Sequence, residues 1–284
     1  MTPTGTGVRD RSADAIGVFD SGVGGLSVLR ALRAELPMEK FVYVADAGHA
    51  PYGERDDTHV IARSHAITRY LVAQHHIKAL VVACNTATAA AIKLLRQDFA
   101  DLPIVGIEPA LKPAAALSKT QHIGVMATRG TLNSEKFRAL LQSLHGQASF
   151  VLQACDGLAD AIENHDAIKI VAIASYSTRA MGLFGSRSGE IDTLVLGCTH
   201  YPFAHDTLKS LVGNDVVFVE GGAPVARQTR RVLTERGWLA EPHIGAPDGT
   251  ADLIFETTGN PDTLQSALSR WLQLRATVRP LTMA

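Results

Sequence analysis

The chain has 284 residues, 46% hydrophobic and 19% charged, with a formal net charge of -1 from 27 Lys plus Arg and 28 Asp plus Glu. That is enough apolar sequence for one large core or two modest ones, and the scattered, balanced charge excludes a basic nucleic-acid face or a polybasic membrane surface. Three widely spaced cysteines, with no CxxC pair and no His/Cys clustering, exclude a disulfide framework or a zinc site and fit a reducing compartment.

The opening MTPTGTGVRDRSADA is polar and lacks an apolar h-region, so no signal peptide is expected and residues 1–14 read as a loose tail. Short β-rich runs then alternate with amphipathic stretches. Strands are predicted at 16–20 (IGVFD), 41–45 (FVYVA), 79–83 (ALVVA), 104–107 (IVGI), 123–126 (IGVM), 150–153 (FVLQ), 193–197 (TLVLG) and 216–220 (VVFVE). Helices are predicted at 26–36, 58–76, 225–237 and 261–274. The longest mostly apolar stretch, 79–92, is broken by Asn85 and is too short to span a bilayer. No membrane partner and a cytoplasmic protein are therefore expected.

This alternation predicts an α/β fold with mainly parallel sheets and helices on both faces. A weak internal repeat divides it. IGVFDSGVGGL (16–26) resembles IGVMATRGTL (123–132), each a strand, a small-residue turn and a helix. ALVVACNTA (79–87) and TLVLGCTHYP (193–202) recur at a similar offset. Two pseudo-symmetric α/β domains follow: 12–110 plus 221–275, and 111–220. Pro109 and Pro113 flank the crossing, and the two tail helices are expected to fold back onto the first half.

Each repeat of the second kind ends a strand on a thiol, Cys84 or Cys198. In parallel sheets the strands' carboxyl edge is where ligands bind. One thiol from each half would face a ligand in the cleft between them, and inversion at carbon needs two proton-handling groups on opposite faces. Both thiols are predicted at helix N-termini, where free N–H groups favour the thiolate. A strand-end cysteine is often only a small buried hydrophobe; the matched placement argues against that here. Cys155 has no matching segment and reads as structural.

DSGVGG (20–25) follows the first strand, and its glycines let backbone approach a ligand. A dinucleotide site competes, with Asp46 ending the second strand at a suitable distance. Ser27 replaces the third glycine, however, and Asp20 would face the pyrophosphate, so that reading is disfavoured. HAPYGERD (49–56) puts Pro51, Tyr52 and Gly53 at the same edge, though Pro and Gly also suit a plain turn. None of these loops centres on Lys or Arg. Apart from His200 their donors are neutral, which suits a small dianionic ligand.

DSGVGGLSVLR, DAGHAPYG, ACNTATA, VGIEPALK and LVLGCTHYPF occur in the order found in bacterial glutamate racemases, with FETTGNPDTL resembling a segment near that family's C-terminus. The resemblance runs from Ile16 to about Leu274. It implies a cofactor-independent racemase in the aspartate/glutamate racemase superfamily that supplies D-glutamate for peptidoglycan, with its active site between two α/β domains. It implies Cys84 as acid/base on the D-glutamate face and Cys198 on the L-glutamate face, assisted by Asp20 and His200. Substrate contacts carry over to Asp20, Ser21, Tyr52, Gly53, Asn85, Thr86, Thr199 and His200. No metal or cofactor is implied; a homodimer and a peptidoglycan-precursor activator are family-based expectations.

The sequence departs from the family in three places. Some members carry a carboxylate just after the cysteine aligned with Cys155; here the stretch is Cys155-Asp156-Gly157 and the acid is not carried over. Thr88 stands where serine is usual, and His49 replaces a commoner basic residue near the cleft. An aspartate racemase remains open, since one methylene gives limited discrimination. Hydantoin or malonate chemistry is a further alternative, the latter needing only one thiol. A non-catalytic module binding an anion would not need two.

Overall fold

The computed structural model of the chain describes residues 10–241 and 253–283. Among the described residues ten strands form two all-parallel sheets. They are β1 (Ile16–Asp20), β2 (Phe41–Ala45), β3 (Ala79–Val82), β4 (Ile104–Gly106), β5 (His122–Ala127), β6 (Ser149–Ala154), β7 (Thr193–Leu196), β8 (Val217–Glu220), β9 (Leu253–Thr257) and β10 (Val278–Pro280). The first sheet has the order β10-β9-β2-β1-β3-β4 and the second β6-β5-β7-β8.

The internal repeat is visible in the register. Ile16 pairs with Phe41 and Ala79, and Ile123 pairs with Phe150 and Thr193. The order β2-β1-β3-β4 thus recurs as β6-β5-β7-β8. Cys84 and Cys198 each lie five residues beyond the matched partners Ala79 and Thr193.

Alternation along the strands feeds a core on each face. In the first lobe Val18, Tyr43 and Val81 pack against helices Leu26–Glu35 and Gly222–Arg236. Phe19, Val44 and Val82 face helices Asp57–His75 and Asn85–Asp98. Fully burying one such large apolar side chain contributes about 1.5–3 kcal/mol. In the second lobe Met126 and Leu196 face helix Ala167–Met181, and Val125 and Val195 face Leu111–Leu117. The lobes meet again where Phe203 stacks on Trp271, ring centroids 3.8 Å apart. Among the described residues no helix is long and apolar enough to cross a membrane.

Two expectations are corrected. Residues 1–9 of the expected loose tail lie outside the described residues, but 10–14 are held: Lys78 Nζ donates to the Ser12 carbonyl at 2.7 Å and Arg11 lies 5.2 Å over the Trp238 ring. The helix predicted over 261–274 is α-helical only for Pro261–Ala267, then widens to a π turn at Leu268–Leu272.

Candidate active site

Because both sheets are parallel, the residues after β1, β3 and β7 gather at carboxyl edges that face each other. Asp20 ends β1 and is fully buried. Gly25 N donates to its Oδ2 at 2.7 Å, whereas Oδ1 has no partner. Burial pushes this carboxyl up to about 6, against the opposing pull of the His200 charge and the Gly25 N–H. Cys84 caps helix Asn85–Asp98: Ala87 N donates to its sulfur at 3.5 Å, and the thiol points to Ser21 Oγ at 3.8 Å. Burial, then the negative charge of Asp20, raises the Cys84 thiol far above its ordinary range, outweighing those two hydrogen bonds. Cys84 is therefore a thiol at neutral pH.

Cys198 is built differently. The expected α-helix does not begin beside it; a 3-10 turn at Tyr201–Ala204 precedes helix His205–Val212. Pro202 falls in the first turn of that 3-10 segment, where its missing N–H leaves no hydrogen bond unmade. In place of a helix N-terminus, Cys198 has His200, with Nδ1 3.7 Å from the sulfur. His200 Nε2 lies 2.7 Å from Glu163 Oε2, and Val23 N donates to that same oxygen at 2.8 Å. Burial opposes the imidazolium, but contact with Cys198 and Glu163 outweighs it and raises His200 well above the ordinary histidine range.

Glu163 is one of two site residues that the sequence does not reveal. The position after Cys155 holds Asp156, which pairs with Arg129 instead. The acid at His200 comes from the far end of helix Leu158–Glu163. The pairing also explains the glycines of DSGVGG. A Cβ at Gly24 would overlap the His200 ring, and one at Gly22 would lie 2.7 Å from the Glu163 Cδ. These glycines admit the second lobe, not a pyrophosphate. Ser27 joins the same contact, its Oγ within 2.9 Å of the Thr199 carbonyl.

One pocket is lined by Ser21, Tyr52, Gly53, Cys84, Asn85, Thr86, Cys198, Thr199 and His200. Asp20, fully buried next to Ser21, is not among the lining residues. Cys155 also lines it, its thiol pushed up to about 12 by burial. Thr128 was not anticipated: its Oγ1 lies 3.0 Å from Thr86 Oγ1 and 2.9 Å from Thr131 Oγ1. Asp20 Oδ1, Asn85 Oδ1 and Glu163 Oε1 are buried acceptors without a donor among the described residues. Such acceptors take N–H or O–H donors.

The sequence profile of the Asp/Glu/hydantoin racemase family matches residues 16–229. The glutamate racemase of Stutzerimonas stutzeri is 44% identical over 260 residues, 90% of this chain and 93% of that one. That of Ectopseudomonas mendocina is 48% identical over 234 residues, 81% and 86% of the two chains. Glutamate racemase isoform RacE1 of Bacillus anthracis superposes with a TM-score of 0.82 at 32% identity, covering 95% of this chain and 98% of that one. Escherichia coli glutamate racemase, in complex with L-glutamate and the activator UDP-MurNAc-Ala, gives 0.79 at 28%, covering 95% and 99%.

The chain belongs to the Asp/Glu/hydantoin racemase family, whose two-lobed α/β fold it shares. Within that family it is an amino-acid isomerase of the glutamate racemase type.

Proposed function

We propose that the chain interconverts L- and D-glutamate without a cofactor, using Cys84 and Cys198 as two acid/bases, and so supplies D-glutamate for peptidoglycan. The lobes acting as units are 12–110 plus 221–275, and 111–220, with β10 (Val278–Pro280) extending the first lobe past residue 275. The observation that carries this reading is the pair of sulfurs, from equivalent positions of the repeat, lining one pocket that also holds unpartnered acceptors.

The substrate ammonium donates to Asp20 Oδ1 and Asn85 Oδ1. Its distal carboxylate meets the hydroxyls of Thr86 and Thr128, and the loops at Ser21, Tyr52–Gly53 and Thr199–His200 position the rest. In the L-to-D direction the Cys198 thiolate takes the α-proton. The electron pair left on carbon delocalises into the carboxylate, whose charge nearby donors stabilise. The Cys84 thiol then protonates the opposite face and becomes the thiolate. Its raised pKa means that this acid is present before the reaction begins. Glu163 favours the imidazolium form of His200 next to the sulfur that is to act as base.

Racemisation measured with L-glutamate and L-aspartate tests the substrate. Turnover of glutamate is expected; turnover of aspartate alone would replace the substrate, and turnover of neither would leave a binding protein. Adding UDP-MurNAc-Ala to the same assay tests for activation. In heavy water, deuterium is expected at the α-carbon mainly in the inverted product during initial turnover. Early exchange without inversion would indicate a single base.

A further inference from the structure

Tyr52 and Gly53 reach the pocket on a loop with little regular structure, two single 3-10 turns at Ala47–His49 and Tyr52–Glu54. A carboxylate holds it. Asp46, just past β2, is fully buried and receives contacts from four side chains. Arg63 grips both oxygens, Nε to Oδ2 and Nη2 to Oδ1, each at 2.9 Å. Tyr52 donates its hydroxyl to Oδ2 at 2.5 Å, and Thr258 Oγ1 donates to Oδ1 at 2.8 Å. His49 Nδ1 lies 3.1 Å from Oδ1. The Thr258 hydroxyl also accepts from Gly48 N at 3.1 Å.

Burial by itself would raise the Asp46 carboxyl, but the hydrogen bonds from Arg63, Tyr52 and Thr258 outweigh it and hold the group below its usual range. The Tyr52 phenol is driven far upward by burial and the Asp46 charge, so it stays a donor. On its other side the loop closes against the second lobe. A Cβ at Gly53 would lie 2.8 Å from Thr128 Cβ, so the wall presses on the hydroxyl cluster assigned to the distal carboxylate.

We propose that Arg63 is a positioning residue for substrate binding: its two-pronged grip on Asp46 fixes the Tyr52–Gly53 wall against Thr128 from outside the pocket. This rests on the reading of the pocket as a glutamate site. Arg63 does not line the pocket, so its effect passes through Asp46 and Tyr52. Without the planar fork the wall must be reordered each time substrate binds. That cost falls equally on the bound ground state and the transition state, so it enters KM and not kcat. Lysine retains the charge but not the fork.

The test compares kcat, KM and melting temperature for the wild-type enzyme, Arg63→Lys and Arg63→Ala, with calorimetric titration of L-glutamate. Arg63→Lys is expected to raise KM about five-fold or more with kcat within about two-fold. Arg63→Ala should raise KM further, and millimolar methylguanidinium should restore part of the loss while leaving the wild type unchanged. If the alanine variant does not fold, the lysine variant decides. An unchanged KM, a loss confined to kcat, or a lowered melting temperature with normal KM would each overturn the assignment. A wild-type protein that binds glutamate without racemising it would refute the proposed reaction, and the same variants would then be judged on Kd. A wild type that neither binds nor turns over glutamate would overturn both.

Discussion

On the proposed two-thiol mechanism, Cys84→Ala and Cys198→Ala are each expected to lower racemisation by about 10³-fold or more, because each removes one of the two groups assigned to move the α-proton. The fold should survive. Each substitution removes one buried sulfur from a site that is otherwise intact, a change worth about 1 kcal/mol. The half-reactions distinguish the two thiols. Cys84→Ala retains the thiol proposed as base for the L enantiomer and should exchange the α-proton of L-glutamate with solvent, without inversion. Cys198→Ala should do the same for D-glutamate. Near-normal racemisation by either variant would remove that thiol from the mechanism, and exchange with the opposite preference would swap the two faces.

Asp20→Asn should stabilise the protein at pH 8 while weakening activity. The folded carboxyl titrates at about 6, above its unfolded value near 3.8. A raised pKa means the native state holds the proton more tightly. The associated stability is present below about pH 4 and is lost as pH rises through about 6. The full loss is about 3 kcal/mol for a group shifted by this much. Asparagine has no such titration, so the variant should lead by that margin at pH 8 and the gap should close near pH 4. Denaturant melts at the two pH values measure it; equal stability at pH 8 would show that Asp20 ionises without penalty. Wild-type kcat/KM should also fall below about pH 6, as the carboxylate proposed to receive the ammonium becomes protonated, and the variant should lack that limb. A group kept ionised at a stability cost is common in active sites.

Much of this was legible because parallel strands buried on both faces leave short apolar runs, as in IGVFD and TLVLG. Their ends also mark the pocket, so Cys84, Cys198 and the residues beside them were found from spacing and resemblance. β10 was not legible: Val278-Arg279-Pro280 has no apolar run, and Pro280 is tolerated because the strand lies at the sheet's edge. Glu163 was missed because its partner His200 lies on another element, and a sequence offset of one residue from Cys155 says nothing about which helix end returns to the pocket. Asp46 was noticed for a dinucleotide pattern. Its surroundings, a bidentate arginine and a phenol brought from separate segments, are tertiary facts that no local motif encodes.

The repeated strand order, β2-β1-β3-β4 and β6-β5-β7-β8, relates the lobes by something close to a rotation. A rotation preserves handedness, whereas the two glutamates are mirror images. Duplicating the lobe therefore cannot supply equal treatment of the enantiomers, and the two sulfurs assigned to the reaction have unlike neighbours: an aspartate near one, a histidine ring beside the other. Enantiomers have equal free energy in water, so kcat/KM must match in both directions whatever those neighbours are. Only kcat and KM taken singly are free to diverge, and in their divergence the asymmetry of the two halves becomes measurable.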